Sequence, residues 1–176
     1  MSTLTVDRVL TARMVCERLR REHADQLFTL LCDPRVARTL WPQRRPPSEA
    51  DVIDGLEAKL DHWRRFGFGL WLLRDRLTGE MVGRGGLQWT FVAGQSEVEA
   101  GWAIVPERWG EGLATELAEA SVAVAFDDLD LPQIVAFTLP DNLASRRVME
   151  KTGFVFEREI AHAGLPHVLY RRFPDG

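Results

Sequence analysis

The segment Trp102-Ala-Ile-Val-Pro-Glu-Arg-Trp-Gly-Glu-Gly-Leu-Ala-Thr-Glu116 restricts this chain more than any other. An apolar strand ends at Pro106, a loop holds Gly110 and Gly112, and the loop runs directly into a helical pattern. Glycines let backbone N–H groups converge, and the first helical turn adds unpaired donors and partial positive charge. The segment therefore reads as an anion cradle, and the small Ala114 lets a ligand approach the helix start. An ordinary strand-to-helix turn is the competing reading, because G-x-G alone does not exclude it. A dinucleotide fingerprint would need a third glycine where Thr115 stands, and a P-loop would need lysine where Leu113 stands. Both nucleotide readings fail.

With 45% hydrophobic and 27% charged residues, the 176 residues are expected to form one packed domain, 1–176, with a core from about 10 to 173. Lys+Arg number 22 against 26 Asp+Glu, a net charge of −4 that argues against a nucleic-acid partner. Two cysteines, Cys16 and Cys32, are too few to staple a domain or hold a structural zinc. No apolar run reaches the roughly twenty residues that span a bilayer, so no membrane partner is expected. Met1 to Arg8 holds no secretory apolar region, and a cytoplasmic location follows as the expectation.

Periodicity predicts strands at Thr11–Leu19, Phe68–Arg74, Glu80–Trp89, Glu97–Val105, Gln133–Leu139, Phe154–Ile160 and His167–Phe173. Helices are predicted at Ala24–Leu31, ended by Asp33-Pro34; from an N-cap at Ser48 to Gly67; from Gly112 to Asp127; and at Asn142–Thr152. The third of these turns Leu113, Leu117, Ala120 and Val124 inward and Glu116 and Glu119 outward. That order implies an α/β (α+β) fold, one mixed sheet of about seven strands packed by four helices. The Arg44-Arg45 pair reads as a solvated turn, and Trp63 and Trp71 as core.

A second motif, Asp141-Asn-Leu-Ala-Ser-Arg-Arg-Val-Met-Glu-Lys-Thr-Gly-Phe154, places Asn142 at a helix start about thirty residues after the glycine turn. With the two motifs in this order, the chain resembles the GNAT superfamily of acyl-CoA-dependent N-acyltransferases. It looks most like the branch of ribosomal-protein N-terminal acetyltransferases. The resemblance runs from Leu10-Thr-Ala-Arg-Met-Val-Cys16 through Asp33-Pro34, Thr78-Gly79 and Gly101-Trp102 to Gly153-Phe154. It implies a mostly antiparallel sheet, splayed at the acyl-CoA site, and acetyl-CoA as cosubstrate without a metal. The backbone of Trp102 to Val105, Ile104 included, would pair with the pantetheine arm. Amides of Gly110, Glu111, Gly112, Leu113, Ala114 and Thr115 would hold the pyrophosphate. Asn142 would bond the pantetheine, Ser145 would sit near the sulfur, and Arg147 or Lys151 would reach CoA phosphates. Trp109 stands where the superfamily usually has Gln or Arg, which removes one side-chain contact and leaves the backbone cradle.

Many GNAT members protonate the leaving thiolate with a tyrosine seven residues after the asparagine, where this chain has Met149. The single tyrosine, Tyr170, lies on the last strand. Ser145 is then the candidate acid; otherwise it is a first-turn serine bonding its own backbone, and water protonates the thiolate. Glu99 is the candidate base, or else an exposed strand carboxylate sharing a face with Glu97, at least one of the two being solvated. His23, His62, His162 and His167 lack ligand spacing and read as surface or loop residues. Trp41 and Trp89 either line an acceptor cleft or simply pack; Asp33–Ser48 and Trp89–Ser96 are expected to shape it. The expected activity is acetyl transfer to a primary amine, on a protein N-terminus or a small molecule, by direct attack in a ternary complex. The alternative is a non-catalytic CoA-binding sensor or scaffold. The chain would act as a monomer or homodimer.

Overall fold

A computed structural model describes residues 6–41 and 45–175. Strands β1 (Arg8–Leu10) and β2 (Met14–Arg18) precede helices α1 (Ala24–Cys32), α2 (Pro34–Leu40) and α3 (Glu49–Phe66). Then come β3 (Leu70–Asp75), β4 (Met81–Val92), β5 (Gln95–Ile104), α4 (Leu113–Ala123) and β6 (Ile134–Thr138). Helix α5 (Leu143–Lys151) and strands β7 (Val155–His162) and β8 (Leu165–Arg172) complete the chain. Eight strands form one sheet in the order β1-β2-β3-β4-β5-β6-β8-β7. Every neighbouring pair is antiparallel except β5 and β6.

The count of eight strands and five α-helices exceeds the expected seven and four for local reasons. The stretch predicted as one strand at Thr11–Leu19 begins as a turn, and β1 lies just before it. Asp33-Pro34 starts a helix in place of ending one. The Asp33 carboxylate accepts the Arg35 amide at 2.8 Å, and Pro34 occupies the first helical turn, where its missing N–H costs nothing. Ser48 caps α3 as expected, its hydroxyl accepting the Asp51 amide at 3.2 Å while Asp51 accepts the Ser48 amide at 2.7 Å. Arg44 lies outside the described residues; Arg45 donates to Asp51 at 2.7 Å. Helix α4 is shorter than expected and passes into a wide turn of π geometry over Val124–Asp128.

The sheet has two differently packed faces. Leu70 and Leu72 of β3 meet Leu27, Val52 and Leu56 from α1 and α3. On the other face Trp71, Leu73 and Leu87 pack with Leu113 and Leu117 of α4 and Met149 of α5. Strand β4 must come very close to β5 and α4 at once: a Cβ on Gly85 would sit 2.5 Å from both the Gly101 carbonyl oxygen and Leu117 Cδ2. The glycine sets how tightly α4 seats. Cys16 and Cys32 are free thiols, and burial pushes the Cys16 thiol up to about 12. No helix among the described residues is long and apolar enough to cross a membrane.

The histidines do not sit on the surface. His23 is 3% exposed and accepts the Arg20 amide at Nδ1, at 3.1 Å. His62 bridges α3 and the sheet, with Nδ1 2.9 Å from the Phe68 carbonyl oxygen and Nε2 accepting the Trp89 amide at 2.9 Å. Both ring nitrogens are committed in the neutral form, and burial lowers the pKa of His62 and of His23.

Two predictions follow from this packing. Gly85→Ala loses about 1–3 kcal/mol in urea unfolding through overpacking. Gly55→Ala, on α3 with open space around an added Cβ, gains about 0.5–1 kcal/mol in the same measurement. Second, below about pH 6.5 the unfolded chain binds protons that folded His62 resists, so stability falls with acidification. Unfolding free energies at about pH 7.5 and about pH 5 should show that loss, and His62→Gln should shrink it.

Candidate active site

The parallel pairing of β5 with β6 is confined to Glu99 opposite Val135. Beyond it the strands part. The Val105 amide donates to the Val82 carbonyl at 2.9 Å, so alternation along the antiparallel ladder turns the polar groups of Trp102 and Ile104 away from β4. They face the gap left by β6. The Ile104 carbonyl is already taken, accepting the Trp109 indole N–H at 2.8 Å. The Ile104 amide and both polar groups of Trp102 have no partner among the described residues and remain for a ligand. Val105, pointing back to β4, does not line the cavity that the gap opens.

The glycine turn closes one end of that cavity. Gly110 and Gly112 have φ of 82° and 83°, the left-handed region that a side chain would strain. A Cβ on Gly110 would meet nothing within 4 Å. No chain acceptor among the described residues takes the amide protons of Leu113, Ala114 or Thr115. These donors and the open space above them suit a pyrophosphate. Glu111 instead serves the turn itself: its carbonyl accepts Arg13 Nη1 at 2.8 Å and its carboxylate accepts Arg108 Nε at 2.7 Å. It does not line the cavity. Glu116 is not turned outward as expected. It accepts the Thr11 hydroxyl at 2.6 Å and the Arg13 amide at 2.7 Å, strapping the turn to the loop before β2. Contact between residues so far apart in the chain leaves no local pattern to read.

Asn142 caps α5 with its side chain, accepting the Ser145 amide at 3.2 Å and donating to Thr138 at 3.1 Å. The Ser145 hydroxyl makes no hydrogen bond among the described residues and lines the cavity, so the local backbone bond considered for it is not made. Met149, at the usual tyrosine position, is buried. Tyr170 is 1% exposed, its hydroxyl held between Arg146 and Glu150 at 3.1 Å each, away from the cavity. Arg147 and Lys151 both line it and lack ion-pair partners among the described residues.

Glu99 lies at the other end. Its Oε2 accepts Gln88 Nε2 at 3.0 Å, and Gln88 Oε1 accepts Lys59 Nζ at 2.5 Å. Burial raises the Glu99 pKa, against the hydrogen bond from Gln88 and the charges of Lys59 and Arg84. Glu97, by contrast, is 5% exposed and paired with Arg171 at 2.8 Å, so neither carboxylate is simply solvated. Trp41 and, from α2, Val36 and Leu40 line this end, but nothing from Trp89 to Ser96 does. Those residues form the tip of the β4–β5 hairpin, and Trp89 packs on Phe66 with ring centroids 6.2 Å apart. Lys59, Gln88 and Arg84 escape the sequence reading, although an arginine inside the glycine-rich run Gly83-Arg84-Gly85-Gly86 is a visible anomaly.

The description "Acetyltransferase (GNAT) domain" matches residues 13–155, and the chain belongs to that family. A Bacillus subtilis protein, YkkB, is 32% identical over 107 residues, which cover 61% of this chain and 62% of that one. A GNAT-family acetyltransferase from Bordetella pertussis is 29% identical with a TM-score of 0.82, covering 94% of this chain and 98% of its own. RimL, a ribosomal L7/L12 α-N-protein acetyltransferase solved with coenzyme A, shares the fold at a TM-score of 0.75 and 17% identity, over 94% and 96% of the two chains.

Gly112→Asp should weaken CoA binding by about tenfold or more in titration calorimetry, because a carboxylate enters the cradle. Gly112→Ala carries the same backbone strain without the charge and should lose much less.

Proposed function

We propose that the chain transfers the acetyl group of acetyl-CoA to a primary amine by direct attack in a ternary complex. The observation that carries this reading is one continuous cavity of about 660 Å³. It joins the glycine cradle, the parted strands and the Glu99 chamber. The amides of Gly110 and Gly112 to Thr115 would hold the pyrophosphate, and the backbone polar groups of Trp102 would pair with the pantetheine arm. Arg147 and Lys151 would meet the remaining phosphate oxygens.

Glu99 is suited to act as base. Its Oε2 is tied by Gln88 while Oε1 accepts no hydrogen bond among the described residues, and its raised pKa brings it nearer the working range of a general base. It takes a proton from the ammonium, and the neutral nitrogen forms a C–N bond to the thioester carbon. The Ile104 amide stabilises the developing oxyanion. The carbonyl re-forms as the C–S bond breaks, and the proton shed by the newly bonded nitrogen passes through the uncommitted Ser145 hydroxyl to the departing thiolate. The chain would work in the cytoplasm, alone or as a homodimer, and without a metal.

Glu99→Gln should lower kcat/KM about 100-fold in a thiol-release assay and leave CoA affinity unchanged. The acidic limb of the wild-type pH profile should lie above the ordinary carboxylate range, as expected for a base whose pKa burial raises. A protein that binds CoA tightly yet releases thiol with no amine would be a CoA-binding module in place of an enzyme.

A further inference from the structure

The Glu99 chamber holds a cation that, among the described residues, no group pairs with directly. Arg84 lines the cavity and, among the described residues, has no hydrogen bond and no ion pair. The other cavity-lining cations differ from it. Arg108 is neutralised by Asp75 at 3.1 Å and Glu111 at 2.7 Å. Arg147 and Lys151 lie on α5, beside Asn142. Arg84 also stands on the wrong face of the sheet to serve the pyrophosphate. It is the cross-strand partner of Leu72, whose face packs on α1 and α3. The glycine turn opens into α4, which packs on the opposite face through Leu117 against Gly85.

Between Arg84 and Glu99 the floor is bare. On this face the cross-strand pairs run Arg84 with Ala103, Gly86 with Gly101, and Gln88 with Glu99. The central pair contributes no side chain, and Glu99 Oε1 leans over it, 3.6 Å from where a Cβ of Gly101 would be. Lys59 adds a second cation through Gln88, so two positive charges face one carboxylate. A guanidinium without a hydrogen-bonded partner is costly to bury until an anion joins it.

We infer that the acceptor is a small amino carboxylate, its carboxylate held by Arg84 across the side-chain-free wall at Gly101 while its nitrogen faces Glu99. The inference rests on the amine-transfer reading and narrows it. A protein N-terminus offers an amine whose nearest carboxyl is already an amide, and it would leave Arg84 unpaired. Arg84 presents a planar fork of donors that matches a carboxylate in bidentate geometry.

The test uses matched pairs: the common amino acids, β-alanine and γ-aminobutyrate, each beside its own amide, in the thiol-release assay with saturating acetyl-CoA. For the preferred acceptor the wild-type protein should favour the acid over the amide by about 10- to 100-fold in kcat/KM. Arg84→Ala should abolish that preference by raising KM for the acid, with CoA affinity unchanged and any change in kcat, from the loss of the Arg84 charge near Glu99, shared by acid and amide. Arg84→Lys should restore part of it. Equal use of acids and amides by the wild-type protein overturns the inference while leaving amine transfer intact. So does an Arg84→Ala variant that keeps the acid-over-amide preference, which would place the acceptor carboxylate elsewhere. If no amine releases thiol, the transfer reading fails, and thermal shift decides the carboxylate site by itself. Acids that stabilise the wild-type protein more than their amides do, and Arg84→Ala no more than their amides do, uphold it. No difference between acid and amide overturns it.

Discussion

Two strands that begin side by side and then separate organise this molecule. At Glu99 and Val135 the strands β5 and β6 are paired, and within a few residues they have diverged. A buried strand edge is normally filled by a neighbour, because unpaired amide and carbonyl groups are expensive to hide. Here the edge at Trp102 and Ile104 is left open to a ligand, and the sheet is continuous on either side of it. The helices α4 and α5 start at the rim of the gap; the first-turn amides of α4 are uncommitted among the described residues, whereas the Asn142 side chain caps α5.

The separation also divides the labour by charge. On the α4 and α5 side, backbone donors and the side chains of Arg147 and Lys151 offer positive potential to an extended polyanion. On the α1 and α3 side, Lys59, Arg84 and Glu99 form a small mixed cluster with its polarity resolved over a few ångströms. The first arrangement suits any acyl-CoA. The second is suited to discriminate, because charges in a low-dielectric chamber tolerate few partners.

What the sequence discloses follows from the range over which each interaction acts. The glycine turn, the Ser48 cap and the helix after Asn142 are local, and each was legible in a window of a few residues. Glu99 was legible too, as a carboxylate on the strand entering the turn. Helix α2 carries no such local mark, because Asp33-Pro34 can either stop one helix or start the next, and only packing decides. The chamber around Glu99 was invisible for a different reason. Lys59, Arg84 and Gln88 come from a helix and a strand that meet only in the folded sheet. The pairing of His62 with both Phe68 and Trp89 is of the same kind, a link between elements with no local signature.

The straps around the glycine turn carry a kinetic consequence. Arg13 holds the Glu111 carbonyl and the Glu116 carboxylate, while Arg108 joins Glu111 to Asp75 at the end of β3. The turn is therefore anchored to two separate strand ends before any ligand arrives. A mobile anion loop would have to surrender its conformational freedom on each encounter, and part of the binding energy would go to ordering it. A loop already fixed leaves association governed by diffusion and by the field of the cradle, so variation in residence time would come from the rate at which the ligand leaves.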